Sequence, residues 1–61
     1  MTPERIREIR AAVGLSKAAF ARLIGVTWPT VWRWETGRSV PQPGWVRRLV
    51  EIERGAHEEA A

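Results

Sequence analysis

The chemistry open to this chain rests on ten basic side chains and four tryptophans. Three of those tryptophans fall within residues 25–37, GVTWPTVWRWETG. A core this small is largely filled by one indole, so the cluster is either buried together or partly displayed to a partner. The charge is uneven. Residues 1–50 carry nine Lys or Arg against Glu4, Glu8 and Glu35, a balance of +6, and residues 51–61 carry Arg54 against Glu51, Glu53, Glu58 and Glu59, a balance of −3. A basic body suits a polyanionic partner such as nucleic acid, although ordinary solvated faces also have such a balance. No cysteine is present, which excludes disulfides and thiolate metal sites. The lone His57 has no imidazole or carboxylate at ligand spacing and reads as solvated, so no metal and no cofactor are expected. A chain of 61 residues has little room for catalysis, and no enzyme is expected. No apolar run approaches the roughly 20 residues of a membrane span, and no signal-peptide pattern opens the chain. A soluble, intracellular protein without a membrane partner is the expectation.

Local signals place these residues on helices. Thr2, Pro3 and Glu4 combine an N-cap hydroxyl, a proline at the first helical position and a carboxylate at the positive helix end. Ile6, Ile9, Arg10 and Val13 then follow at i, i+3, i+4 and i+7, so a helix is predicted over about 3–13, closed by Gly14. Ser16 caps a second helix over 17–24, with Phe20, Leu23 and Ile24 as its apolar stripe and Gly25 as its stop. Thr27 caps a third over about 28–36, where Pro29 in the first turn removes no internal hydrogen bond. RSVPQP is a loop; Pro43 starts a fourth helix that Gly55 ends, leaving 56–61 as a short polar tail that frays. Nothing alternates like a strand. The expected fold is all-α, a compact domain of four or five helices over residues 1–55. A connection as short as that around Gly25 forces a sharp turn between the second and third helices. Ala21, Gly25, and Val31 with Trp34 supply the small contact, the turn and the inward anchors.

At 100° per residue, Val31 and Trp34 face inward with Leu15, Phe20 and Ile24. Trp28 and Trp32 share a different face, with Pro29 and Arg33 beside them. At least one tryptophan is therefore core, and two are candidates for display.

The stretch GLSKAAFARLIGVTWPTVWRWETGRSVP resembles the helix-turn-helix core of the lambda-repressor-like, or XRE, DNA-binding family, which includes the phage repressors and Cro. Its parts are LS-x-x-x-F-A-x-x-I-G-V, the inward Val31 and Trp34, and the ending W-E-x-G-x-x-x-P; the resemblance covers about residues 4–53. It implies a lambda-repressor-like helix-turn-helix domain that binds double-stranded DNA sequence-specifically as a transcriptional regulator or repressor. The setting would be bacterial or phage-infected cytoplasm, at the nucleoid. It also implies a structural salt bridge between Arg10 and Glu35; the alternative is that Arg10 binds phosphate.

In a repressor-like docking, Trp28, Pro29 and Arg33 enter the major groove. The planar fork of Arg33 can donate twice to guanine, whereas Trp28 and Pro29 can offer only apolar contact, as to thymine methyl groups. The family usually has short polar residues or glutamine at these positions. Phosphate contacts would come from Lys17, Thr27, Thr30, Trp32, Thr36, Arg38 and Ser39, with Thr27 a cap first. Arg5, Arg7, Arg22, Arg47 and Arg48 are either solvated or near phosphate. A weak or DNA-dependent homodimer is compatible with the sequence. So is a second class of function, a protein-interaction module in which exposed Trp28 and Trp32 dock on a polymerase, a toxin or another subunit. A third is a DNA-recognition subunit of a recombinase or transposase.

Overall fold

The computed structural model describes residues 1–60. Four helices follow one another, α1 (Pro3–Val13), α2 (Lys17–Ile24), α3 (Trp28–Glu35) and α4 (Pro43–Ala60), with no strand among the described residues. The starts of α1 and α2 are capped by hydroxyls. Thr2 Oγ1 accepts from the Arg5 N–H at 3.1 Å, and Ser16 Oγ accepts from the Ala19 N–H at 3.2 Å. Each bond satisfies one of the donors that a helix start leaves free.

One core joins the four elements. Ile6 and Ile9 of α1, Phe20, Ala21 and Ile24 of α2, Val31 and Trp34 of α3 and Leu49 of α4 are buried together. Met1, Val13, Leu15, Val26 and Ile52 pack around them. α1 lies against α4, and α2 against α3. Only three residues, 25–27, separate α2 from α3. Gly25 makes the turn at φ 101°, where a β-carbon would be strained, and its N–H and that of Val26 both reach the Ala21 carbonyl, at 2.9 and 3.0 Å.

Two local expectations are corrected. Thr27 holds the N-cap position of α3 with extended backbone, but its side chain caps no N–H. The physical reason is Pro29, which occupies one of the two positions whose N–H a capping hydroxyl could bind. The other candidate, the Thr30 N–H, already reaches the Thr27 carbonyl at 3.1 Å, so the Thr27 hydroxyl instead lies 2.9 Å from that of Thr30. The second correction concerns Gly55, which does not end α4: the helix continues through residues 56–60. Gly55 is not among the glycines with positive φ, and it and Ala56 are half-buried beside Ala12, Val13 and Ile52. A helical glycine costs about 1 kcal/mol relative to alanine, a cost that α4, packed as a whole along α1, carries at this position. Residue 61 of the expected tail lies outside the described residues.

Candidate functional site

The eight residues of α3 divide by face. Val31, Trp34 and Glu35 are buried. Trp28 is 47% exposed, and Pro29 and Arg33 are also exposed. The aromatic cluster thus divides. Trp34 is core, tilted against Trp45 of α4 with ring centroids 6.5 Å apart. Trp28 is displayed, and Trp32 is half-buried, with the Arg38 guanidinium 4.9 Å above its ring centroid.

Arg38 reaches Trp32 because of how α3 ends. Gly37 takes φ 78°, its N–H points to the Trp34 carbonyl at 3.4 Å, and the Arg38 N–H reaches back to the Arg33 carbonyl at 2.9 Å. This is a Schellman closure, which folds the chain over the last turn of the helix. The Thr36 hydroxyl donates to the Trp32 carbonyl at 2.8 Å, which uses its proton within the helix end. Ser39 is exposed just beyond. At the other end of the site Thr27 and Thr30 share one hydroxyl–hydroxyl bond, leaving one of the two protons free to donate outward. Lys17 stands half-buried at the first position of α2.

The remaining basic side chains sort into those used within the fold and those left free. Arg10 pairs with Glu35 through Nε to Oε2 at 2.8 Å and Nη2 to Oε1 at 3.1 Å, and donates a third bond to the Leu15 carbonyl at 3.2 Å. Glu35 is 3% exposed, so its carboxylate depends on that fork. Arg7 donates to the Glu35 carbonyl oxygen. Arg5 grips Glu53 with both Nη atoms, tying α1 to α4. The bonds from Arg5 hold the Glu53 carboxyl below its ordinary range against the opposing effect of burial, and the same contact raises Arg5. Arg48 donates to the Leu23 carbonyl at 3.2 Å. For Arg5, Arg7 and Arg48 the sequence left a choice between solvent and phosphate. Besides the i,i+3 pairs Arg5–Glu8 and Arg7–Glu4, both at 3.5 Å, these hydrogen-bond partners lie 25 to 48 residues away, where no local pattern points to them. Lys17, Arg22, Arg33, Arg38, Arg47 and Arg54 have no carboxylate partner among the described residues. Of these six, Arg33 lies on α3, Arg38 in the segment that follows it, and Lys17 and Arg22 on α2.

Among the described residues, no group of three or more His, Cys, Asp or Glu is placed to hold a metal ion. No helix is long and apolar enough to cross a membrane.

A small buried core, a three-residue glycine turn between α2 and α3, and an α3 anchored by Val31 and Trp34 with an open outer face define a helix-turn-helix domain. The family model described as a helix-turn-helix domain matches residues 4–61, and the chain belongs to that family. It is 37% identical over 54 residues to the protein named antitoxin HigA-2 of Vibrio cholerae serotype O1, a match covering 88% of this chain and 52% of that protein. The chain therefore spans about half the length of this curated relative. No solved structure matches the chain.

Proposed function

We propose that this domain binds double-stranded DNA sequence-specifically as a transcriptional regulator of the phage-repressor or Cro type, with α3 in the major groove. The observation that carries the reading is the outer face of α3. Arg33 stands exposed there without a carboxylate partner among the described residues, and Lys17 and Arg38 have none either. Membership of the helix-turn-helix family supports it. Arg33 reads guanine through two parallel hydrogen bonds, which discriminate by about 1 to 3 kcal/mol. Trp28 and Pro29 make apolar contact with base edges. Lys17, the Thr27–Thr30 hydroxyl pair, Arg38 and Ser39 hold phosphates and set the register. Binding uses two copies on adjacent half-sites, associating weakly or only on DNA. The cellular setting is the cytoplasm at the nucleoid.

Selection from random duplex DNA tests this, followed by Arg33→Ala and Lys17→Ala on the recovered site. Arg33→Ala is expected to relax preference at one base pair. Lys17→Ala is expected to weaken all sequences alike and to reduce the salt slope by about 0.9. Recovery of no preferred duplex overturns the reading.

A second reading is favoured by one exposed side chain and one name. Trp28 is nearly half exposed, and the relative is named as an antitoxin. On this reading the aromatic end of α3 docks on a protein such as a toxin. Such an apolar interface responds weakly to salt, where phosphate binding falls steeply.

A further inference from the structure

The Schellman closure of α3 places a particular pair of residues side by side. Its final bond joins residue 38 to residue 33, and these two positions usually carry an apolar pair that covers the helix end. Here both are arginines, exposed and without carboxylate partners among the described residues. Two like charges at one helix end repel each other unless something holds them apart or an anion lies between. The Arg38 guanidinium lies over the Trp32 ring, 4.9 Å from its centroid. This cation–π contact engages one side of the guanidinium, and its N–H donors have no hydrogen-bond partner among the described residues. No carboxylate of the described residues bonds those donors, and their planar fork matches a phosphate.

We propose that Trp32 is a positioning residue rather than a DNA contact, and that it presents the Arg38 fork, already oriented, to the backbone phosphate beside the base read by Arg33. This rests on the DNA-binding function proposed above and specifies how its phosphate contact is built. The sequence placed Trp32 among the backbone contacts; here it acts through Arg38 alone. Preorganisation lowers the loss of side-chain freedom on binding. Gly37 is part of the device, because its left-handed conformation turns the chain so that residue 38 returns over residue 32.

The test is a double-mutant cycle on the full chain, with far-UV circular dichroism to verify the fold. The probe is a duplex recovered in the selection or, failing recovery, a mixed-sequence duplex at low salt. Arg38→Ala is expected to lower affinity and reduce the log–log salt slope by about 0.9. Trp32→Leu keeps an apolar side chain in the half-buried site. It is expected to weaken binding by about two- to fivefold with the salt slope unchanged, and to have no further effect in the Arg38→Ala background. Arg38→Lys leaves the core untouched and is expected to lose a similar two- to fivefold while keeping the slope, since the charge remains but the planar fork does not. In the free protein, Arg38 side-chain proton shifts should show the ring current of Trp32 and lose it in Trp32→Leu. Equal losses for Trp32→Leu in both backgrounds, or wild-type affinity for Arg38→Lys, overturn the clamp while leaving DNA binding intact. Failure of the wild-type chain to bind either duplex overturns DNA binding and the clamp with it.

Discussion

Replacing Arg10 by Met isolates the most consequential ion pair in the domain. Arg10 supplies two hydrogen bonds to the Glu35 carboxylate, at 2.8 and 3.1 Å, and a third to the Leu15 carbonyl. Glu35 is 3% exposed, and Arg7 bonds only its backbone oxygen, so Arg10→Met leaves a carboxylate in the core without its guanidinium. Breaking a buried pair from one side typically costs about 3 to 5 kcal/mol. The Arg10 side chain is 25% exposed, which lets water approach the vacated position and sets the expectation near the lower end, about 3 kcal/mol. Domains of this size have total stabilities of order 3 to 9 kcal/mol, so the variant should be close to unfolding at physiological temperature. Urea unfolding followed by circular dichroism measures the loss. The double variant Arg10→Met with Glu35→Leu should recover most of it, because an apolar pair of similar volume carries no desolvation penalty. An Arg10→Met variant within about 1 kcal/mol of wild type would refute the dependence of Glu35 on Arg10. So would a double variant no more stable than the single one.

Two further outcomes follow from the fold. The Glu53 carboxyl titrates below its ordinary range because Arg5 bonds it. Its stabilising share is therefore fully present above the unfolded-state value of about 4.3 and is lost as pH falls through the lower folded value. Glu53→Gln should flatten the acid limb of stability against pH, as measured by thermal unfolding between neutral and strongly acidic pH. The glycines at 37 and 55 should respond in opposite directions to alanine. Gly55 is helical with nothing within 4 Å of an added β-carbon, so Gly55→Ala should gain about 0.5 to 1 kcal/mol. Gly37 sits at φ 78°, so Gly37→Ala should lose about 1 to 2 kcal/mol in the same urea assay.

The helical class and the start of every element were legible in the sequence because their causes lie within four residues. A hydroxyl ahead of a helix, a proline in its first turn and a glycine after its last act on backbone groups nearby. The same short range explains why the faces of α3 could be sorted: the period of the helix carries Val31 and Trp34 inward and leaves Trp28 and Arg33 outside. Thr27 shows where local rules compete. A capping hydroxyl was expected, but Pro29 removed one donor and the helix itself took the other. Gly55 shows where the glycine rule is permissive, since a glycine is free to stop a helix or continue one, and here α4 runs on to Ala60.

What only the tertiary structure decided is which arginines are free. Composition counts ten basic side chains, yet Arg5 is held by Glu53 at a separation of 48 residues, Arg7 by the Glu35 carbonyl at 28, and Arg48 by the Leu23 carbonyl at 25. The physical reason is that a guanidinium satisfies its donors with whatever oxygen the packed helices bring within about 3 Å, and that adjacency depends on the whole core rather than on neighbours in the chain. The sequence determined that a helix following a glycine turn would present an outer face, and the fold determined which charges remain there to meet a polyanion.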